Sequence, residues 1–462
     1  MTHVLGQARP YAAEAAPAGK LYRAIWRWHF YAGLLAVPFM ILLAVTGSLY
    51  LFKDEIDNSV FAYRNVVAEA ATPPLPVSVL AATAADVVPG SAATVYRTPR
   101  SATGSAMVTV KTDTDGDSGG NIVFLNPYSG AVLDVVPAHG EFQWVVKRLH
   151  SLEYFGDYTN RIIEAVGGFA LVLVVTGIYL WWPRGQSGGV LTVRAQPAQR
   201  VFWRDLHAVT GAVAGLVIFF LALSGMPWSG YWGNAVNKIA SDNGVGYPKF
   251  LWDDVPVSKV PAKDALGKVG WTVENAPMPL SGAPSGGGAP VGIDRAVEVF
   301  KARGIGPGFD VTLPDGKTGV YSASLFPDMI QDQRMIHLDQ YTGEPLVDLN
   351  FADYGGFAKA VELGINIHMG QEFGLANQLL MLTTCLAIIL TSVAAVIMWW
   401  KRRPSGKLGI PPYPRGRAAY IALWVVAAIF GIAFPITGLA ILAMLLIDAA
   451  IMAIASRRRS PA

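Results

Sequence analysis

Four long apolar runs dominate this sequence and restrict the folds that it can adopt. They occupy residues 26–52, 162–182, 203–225 and 375–400. Each is close to the roughly 20 residues that a helix needs to cross the hydrocarbon core of a bilayer. In the whole chain, 52% of the residues are apolar and 15% are charged. The runs and this balance together predict an α-helical protein that crosses a membrane several times.

A fifth apolar region, residues 418–453, is too long for one ordinary span and has Pro435 near its middle. Proline interrupts a helix, so we expect a C-terminal hairpin of two short spans and six spans in total. One long tilted helix is the alternative interpretation.

Basic residues beside the apolar runs predict how the chain is oriented. They form three groups, before the first run, between the second and third, and after the fourth: Lys20, Arg23 and Arg27; Arg184, Arg194, Arg200 and Arg204; Lys401, Arg402, Arg403, Lys407, Arg415 and Arg417. Loops rich in Lys and Arg are cytoplasmic as a rule. We therefore expect a cytoplasmic N-terminus, and the long segments 53–160 and 226–370 on the outer side. No small-residue cleavage site follows the first run, which predicts a retained signal anchor.

Charge and cysteine content exclude several classes of function. The formal net charge of +3 is too small to indicate a nucleic-acid-binding protein, and we expect no nucleic-acid partner. Cys385 is the only cysteine, so neither a disulfide framework nor a cysteine-based metal site is expected.

Both outer segments read as α+β units. "NIVFLNPYSGAVLDVV" (121–136) and "RMIHLDQYTGEPLVDL" (334–349) alternate apolar residues around a turn, and each predicts a β-hairpin. "DRAVEVFKARG" (294–304) has helical spacing, and "PLSGAPSGGGAPVG" (279–292) has the composition of a flexible linker.

The membrane spans are duplicated. An offset of 178 residues aligns His29 with His207, Gly33 with Gly211 and Gly47 with Gly225, and it also aligns Thr46 with Ser224. An offset of 218 residues aligns His150 with His368, Trp181-Trp182 with Trp399-Trp400, and Arg184 with Arg402. Each repeat has two spans, so both copies have the same orientation, and we expect them to be related by a pseudo-twofold axis along the membrane normal.

This symmetry pairs four histidines, two at each membrane face. His29 and His207 lie near the cytoplasmic ends of their helices, and His150 and His368 lie on the outer side. Two histidines that face each other across a helix bundle provide the axial nitrogens of six-coordinate haem iron. The pattern therefore predicts an inner and an outer haem, each with two histidine ligands.

Four repeated glycines fit this prediction. Gly33 is one turn from His29, and Gly47 is 18 residues, or about five turns, from it. Gly211 and Gly225 stand in the same relation to His207. A missing side chain gives a flat macrocycle room to pack, so we expect these glycines beside the two haems.

Other interpretations of the histidines remain open. A single histidine at a membrane boundary is commonly an interfacial residue, and intramembrane histidines also relay protons. Zinc or copper needs three or four ligands in one small site, which two histidines per face do not supply. His3, His139 and His337 have no partner in the other repeat and are expected in the tail or at the surface. The two Trp pairs are most simply interfacial anchors.

Several side chains near the histidines are candidates for supporting roles. Arg27 and Arg204 inside, and Lys147, Arg148 and Arg161 outside, are candidates to neutralise haem propionates. Snorkelling at the membrane interface would explain the same cations equally well. Trp144, Tyr154, Trp228 and Trp232 are candidates for an outer docking surface. The sequence has no G-x-G-x-x-G after a strand, so an electron donor would be a separate molecule, either a flavin, a flavoprotein or a quinol.

The ordered motifs resemble the PepSY-associated transmembrane family over about residues 22–402. They are "WHFYAGLLAVPFMILLAVTG", "RLHSLEYFG", "TGIYLWWPR", "DLHAVTGAVAGLVIFFLALSG", "IHMGQEFG" and "MWWKRRP", with the turns "NPYSG" and "DQYTG". The resemblance implies a bacterial inner-membrane protein of iron uptake, with b-type haems held by His29, His207, His150 and His368. It implies PepSY-like periplasmic domains, and a reductase that releases iron from ferric siderophores or serves another periplasmic acceptor. A non-redox regulator that binds a periplasmic partner, and a transport accessory, are the alternatives.

The predicted fold class is an α-helical polytopic membrane protein, with a four-helix core from a tandem two-span repeat, a C-terminal hairpin and two α+β PepSY-like periplasmic domains. The predicted segments follow: 1–21, disordered cytoplasmic tail; 22–52, first span; 53–149, first periplasmic domain; 150–183, outer histidine segment and second span; 184–201, cytoplasmic loop; 202–226, third span; 227–366, second periplasmic domain; 367–400, outer histidine segment and fourth span; 401–417, cytoplasmic loop; 418–453, hairpin; 454–462, cytoplasmic tail.

Overall fold

The computed structural model describes residues 19–116, 119–185, 188–267, 269–282, 288–411 and 417–457. Almost all of the predicted N-terminal tail, the middle of the predicted linker at 279–292 and the last five residues lie outside the described residues. The helices are α1 (Lys20–Leu51), α2 (Lys53–Ser59), α3 (Ala62–Asn65), α4 (Val77–Val87), α5 (Phe142–His150), α6 (Asn160–Trp181), α7 (Arg200–Gly225), α8 (Trp232–Asp242), α9 (Ala262–Leu266), α10 (Ile293–Ala302), α11 (Gly356–His368), α12 (Gly374–Arg402), α13 (Arg417–Ala433) and α14 (Pro435–Arg457).

Among the described residues, four helices are long and apolar enough to cross a membrane, namely α1, α6, α7 and α12. They match the four predicted runs, which confirms a polytopic membrane protein. Each packs against two others, in the cyclic order α1–α6–α7–α12, so α1 and α7 face each other across the bundle. Any side chains that these two helices direct inward therefore meet at the bundle axis.

The C-terminal region forms a helix pair beside this bundle. Helix α13 ends at Ala433 and α14 begins at Pro435, because proline is accepted at the first position of a helix but not in its interior. The pair packs against α1 and α6. Their described apolar stretches, Trp424–Ala433 and Pro435–Ile447, are shorter than the four spans. The total of six spans stays a prediction.

Hairpin docking depends on a close contact between α6 and α14. A side chain at Gly168 would overlap Thr437, which is completely buried. Small residues let two helices approach closely in a membrane, where van der Waals packing replaces the hydrophobic effect as the driving force.

The outer segments share one antiparallel sheet of eight strands. The strands are β1 (Ala92–Arg97), β2 (Ala106–Lys111), β3 (Asn121–Leu125), β4 (Val132–Pro137), β7 (Asp310–Thr312), β8 (Val320–Leu325), β9 (Arg334–Asp339) and β10 (Pro345–Asn350), and β5 (Val257–Pro261) and β6 (Pro277–Pro279) form a separate pair. Their spatial order is β10–β9–β8–β7–β1–β2–β3–β4. Each segment thus supplies four strands, and the predicted hairpins at 121–136 and 334–349 are confirmed as β3–β4 and β9–β10.

Strands β1 and β7 join the two halves of the sheet. Val95, Tyr96 and Arg97 pair with Thr312, Val311 and Asp310. Helices α4 and α10 contact each other and cover the same face of the sheet, where residues from both halves form one core. The two predicted outer domains are therefore one continuous layer. The reason is that an edge strand carries unpaired backbone groups, and pairing β1 with β7 satisfies both edges.

The opposite face of the second half carries an additional cover. The segment that contains α8, β5, α9 and β6 packs with α11 over this face, through buried residues such as Trp252, Val273 and Ala358. No such long segment separates α1 from α4 in the first half. This cover explains why strands β8 and β9 are buried on both faces.

Candidate functional site

His29 and His207 come together at the axis of the four-helix bundle. Their ring centroids lie 6.1 Å apart, and the ring planes are inclined at 84°. Two imidazoles that bind one metal ion from opposite sides have centroids about 6.5 Å apart, for metal–nitrogen distances of about 2.0–2.1 Å. The spacing of this inner pair therefore fits a shared metal ion.

The hydrogen bonds of the inner pair determine which ring nitrogen carries the proton. His29 Nδ1 lies 2.9 Å from Thr176 Oγ1, and this hydroxyl donates its single hydrogen to Val172 O at 2.6 Å. Thr176 must therefore accept a hydrogen bond from the Nδ1–H of His29. His207 Nδ1 donates to the carbonyl oxygen of Thr391 at 3.0 Å. In both rings the lone pair is on Nε2, as a metal ligand requires.

The outer pair repeats this arrangement with a different set of elements. His150 and His368 are the last residues of α5 and α11, which pack against α1 and α7. Their Nδ1 atoms lie 2.9 Å from Thr46 Oγ1 and Ser224 Oγ, respectively. Each hydroxyl donates to a carbonyl of its own helix at 2.7 Å. Both rings are thus also Nδ1–H tautomers with the Nε2 lone pair available.

Burial keeps the outer rings neutral. It lowers the pKa of His150 to about 4, and burial together with the smaller effect of nearby His150 lowers the pKa of His368 to about 4. A neutral imidazole is the form that binds a metal. The two pairs are about 26 Å apart along the bundle, because His29 and Thr46 are separated by 17 residues of α1.

Left-handed residues end both helices that carry the outer histidines. Leu152 has φ of 59° and Gly370 has φ of 77°, each two residues after its histidine. A residue in this conformation stops a helix and turns the chain, here toward α6 and α12. The leucine adopts a conformation that costs a non-glycine residue about 1–2 kcal/mol.

Three of the four imidazoles pack closely against a helix at a glycine, where no side chain stands in the way. A Cβ atom at Gly47 would lie 3.4 Å from His150 Cε1, and one at Gly225 would lie 3.3 Å from His368 Cε1. A Cβ atom at Gly177 would lie 3.3 Å from His29 Cε1. In each case the residue before the glycine carries the hydroxyl group that accepts the hydrogen bond from the imidazole Nδ1–H. A Ser/Thr-Gly pair therefore holds the ring in position.

The remaining two candidate glycines lie at helix–helix contacts. A Cβ atom at Gly33 would lie 3.8 Å from Leu173, and one at Gly211 would lie 3.8 Å from the methyl group of Thr391. These are ordinary van der Waals distances, and neither glycine contacts a histidine. The prediction that the four glycines flank a macrocycle stays a prediction.

Each histidine pair offers two imidazole nitrogens to a metal ion. Among the described residues, no group of three or more His, Cys, Asp or Glu side chains is placed to hold a metal ion. Two opposed imidazoles instead suit an ion whose other four ligands come from a planar macrocycle, as in haem. The available nitrogens, their tautomers and the spacing of the inner pair fit such a group.

The two inner cations predicted to neutralise propionates have partners within the protein. Arg27 is 5% exposed, and its Nη1 donates to the carbonyl oxygen of Pro411. Arg204 forms an ion pair with Asp205, which Arg194 also contacts at 2.8 Å. Arg27 therefore fastens the loop after α12, and Arg204 shares with Arg194 the carboxylate that fastens the loop before α7.

The three outer cations lie against aromatic rings. Lys147 Nζ is 5.4 Å from the ring centroid of Trp228, and the Arg161 guanidinium is 4.8 Å from that of Tyr158. Arg148 pairs with Glu153 at 3.1 Å. Each contact is compatible with a position at the membrane interface.

The four aromatic residues predicted to line a docking surface divide into two groups. Trp144 stacks on His139, at 4.4 Å between centroids, and its edge meets Tyr154. Trp228 is partly exposed beside this group. Trp232 instead stacks on Phe434 and donates to Ala433 O at 2.7 Å, so it anchors the C-terminal helix pair.

The expectation that His337 is a surface residue is wrong. It lies on β9, is 1% exposed, and its Nδ1 is 2.8 Å from Ser322 Oγ on the neighbouring strand. The added cover over the second half of the sheet buries it. His139 is exposed, as expected. His3 lies outside the described residues.

The two Trp pairs, at the ends of α6 and α12, have matching contacts with the loops that follow these helices. Trp181 Nε1 donates to Val190 O at 2.8 Å, and Trp399 Nε1 donates to Leu408 O at 2.7 Å. In each pair the second tryptophan, Trp182 or Trp400, is 60% exposed. The first ring therefore fastens the loop that follows its helix, and the second is available to the membrane interface.

Sequence reasoning missed Thr176, Gly177 and the carbonyl group of Thr391. The signal for the first two was present, because "TG" at 176–177 repeats the "TG" at 46–47 and the "SG" at 224–225. Helix α12 has no such pair, and its bond to His207 comes from the main chain, which no residue type reveals.

Comparison with known protein families gives one match. The family model described as "PepSY-associated TM region" matches residues 26–402, which includes the four spans, all four paired histidines and the whole sheet. Helices α13 and α14 lie beyond the matched residues. A comparison with curated proteins gives no significant match.

Proposed function

The chain belongs to the PepSY-associated transmembrane family, and from this premise we propose that it is a di-haem b-type protein that carries electrons across a bacterial inner membrane. The inner group is held by His29 and His207, and the outer group by His150 and His368. The observation that supports the proposal is that all four imidazoles have a bonded Nδ1–H, and that the two inner rings lie 6.1 Å apart between their centroids.

The protein has two tasks in this proposal. The Nδ1–H acceptors fix the tautomer and the orientation of each ring, which also raises the basicity of Nε2. The apolar helices exclude water from the rings and keep them neutral. When bound, a haem iron with two imidazole ligands exchanges single electrons between its ferric and ferrous forms.

Matching contacts in the two halves support a tandem repeat. His150 meets Thr46 and Gly47 as His368 meets Ser224 and Gly225. The Trp181 and Trp399 bonds correspond in the same way, and the sheet places one half's four strands on each side of the β1–β7 contact. A pseudo-twofold axis through the bundle and this contact accounts for all of these pairs.

The orientation of the electron path follows from the basic loops. The loops after α6 and α12 are basic, so the inner pair is proposed to face the cytoplasm and the sheet to lie in the periplasm. The donor is a flavin, a flavoprotein or a quinol, and the proposed acceptor is a ferric siderophore. Reduction suffices for iron release because ferrous iron binds hard oxygen ligands less tightly than ferric iron does.

The full chain, expressed with a haem precursor and purified in detergent, tests the proposal. We expect a Soret band, sharp α-bands after dithionite reduction, and two haems per chain. His150→Ala and His368→Ala should each remove the outer haem, and His29→Ala and His207→Ala the inner one. His139→Ala, which changes an exposed histidine, should keep both. A colourless protein, or single variants that lose both haems or neither, would contradict the proposal.

A ferric siderophore added to the dithionite-reduced protein, after removal of the reductant, then tests the acceptor. We expect the α-bands to disappear at a rate that depends on siderophore concentration. Reduced protein that is oxidised by small ferric chelates but never by siderophores would refute this choice of acceptor.

A further inference from the structure

Two arginines at the inner end of the bundle have charges that the described protein does not neutralise. Arg402 is the last residue of α12, and its guanidinium lies 4.8 Å from the ring centroid of Trp26 and 5.4 Å from that of Phe30. These two rings flank His29 in the sequence of α1. The aromatic contacts and a 2.7 Å bond from Nη2 to Gly409 O hold the cation against the turn of α1 that carries His29.

Arg200 brings a second positive charge to the same place. It is the first residue of α7, seven residues before His207, so it lies on the same side of that helix about two turns away. Helices α7 and α12 pack against each other, so the start of α7 and the end of α12 lie at the same end of the bundle, and the positive charge of Arg200 acts on the Arg402 guanidinium.

Within the four-helix bundle and its described loops, acidic residues are scarce at this end. In residues 19–30, 176–185, 188–207 and 391–411, the only acidic side chain is Asp205. Both of its oxygens are already bonded to Arg194 and Arg204. Arg402 is half-buried and Arg200 is exposed, so an anion that binds between them would offset a charge that the protein has partly removed from water.

We propose that Arg402 and Arg200 form an anion site that binds the propionate carboxylates of the inner porphyrin. They take the role that the sequence suggested for Arg27 and Arg204. The inference rests on the proposed function, because it concerns the group held by His29 and His207. Guanidinium groups suit this task, since their planar donors bind carboxylates in a bidentate manner.

The full chain loaded with haem tests the inference through binding and spectroscopy, in the absence of any electron donor. Arg402→Gln and Arg200→Gln should each weaken the inner haem by about 10- to 100-fold, the range for hydrogen bonds to charged groups. The midpoint potential of the inner haem should fall, since loss of a nearby cation favours the ferric form. Arg402→Lys should restore part of both properties. Arg184→Gln is the matched control, because Arg184 is the counterpart of Arg402 in the first repeat and its guanidinium bonds to the carbonyls of Trp182 and Tyr179. This variant should change neither the affinity nor the midpoint potential of the inner haem.

Three results would overturn the inference. The first is a protein with two haems whose Arg402→Gln and Arg200→Gln variants keep the affinity and potential of the inner haem. The second is an Arg402→Gln variant that keeps the inner haem unchanged but loses binding of flavin mononucleotide, because the site would then serve a phosphate. The third is a colourless wild-type protein, which would overturn the proposed function as well, whereas the first two leave that function intact.

Discussion

Replacement of Thr46 by valine isolates the contribution of a hydroxyl group that touches no metal. Valine has nearly the same shape as threonine, so the change removes the acceptor of the His150 Nδ1–H bond and little else. Leaving one partner of a buried hydrogen bond unsatisfied costs about 1–3 kcal/mol. Groups that orient a metal-bound histidine contribute about 10–100-fold in metal affinity, and about 1.4 kcal/mol corresponds to tenfold, so the two ranges agree.

We therefore expect Thr46→Val to weaken binding of the proposed outer haem by about 10–100-fold and to leave the proposed inner haem unchanged. The assay is haem titration of the purified full chain, with His150→Ala to identify the outer bands. Ser224→Ala should have the same effect through His368, and Thr46→Ser should behave like the wild type.

Thr384→Val is the matched control for this change. Thr384 is also buried in a spanning helix, but its hydroxyl bonds only to Leu380 O within α12. If Thr46→Val and Thr384→Val have the same effect on the outer haem, the hydroxyl does not act through His150 and the reasoning is refuted.

Three further predictions concern the scaffold. Gly168→Ala should displace α14 from α6 and destabilise the protein by about 1–3 kcal/mol, because the new methyl group overlaps Thr437. Gly356→Ala, at a position with open space around it, should be tolerated, and equal thermal midpoints of the two variants in detergent would contradict this. Burial raises the pKa of Glu274 to about 7 from 4.5, so the stability that its protonated form contributes is complete below about pH 4.5 and is lost as the pH rises through 7. Unfolding of Glu274→Gln measured across this range should therefore depend less on pH, by at most about 3 kcal/mol, and an unchanged dependence would refute the assignment. Phe300→Ala should lower the free energy of unfolding by about 3–5 kcal/mol, because Phe300 is completely buried in the core that the two halves of the sheet share. Both halves should unfold in one transition, and separate transitions in hydrogen exchange would show two independent domains.

The membrane helices and the histidine pairs were predictable because their signals are local. A run of about 20 apolar residues specifies a span without reference to the rest of the chain. His29 and His207 were found as a pair because the two spans repeat in register, and the structure places their rings 6.1 Å apart.

Contacts between distant segments were not predictable from these patterns. The pairing of β1 with β7 depends on two edge strands that carry no mark of their partner. His337 was misplaced because the segment that buries it is separated from it by many residues, and the alternation of β9 is masked by burial on both faces. The partners of Arg27 and Arg204 depend on side-chain direction at helix ends, which periodicity does not determine.

The β1–β7 contact has a consequence for biosynthesis. Arg97 and Asp310, which form an ion pair across it, are separated by 213 residues. At about 5–20 residues per second, a ribosome needs roughly 10–40 s to make the second strand after the first. Throughout that interval the earlier half exposes an open edge that can recruit a strand from a neighbouring nascent chain. Production of this protein should therefore be sensitive to the density of nascent chains and to chaperones that shield unpaired strands.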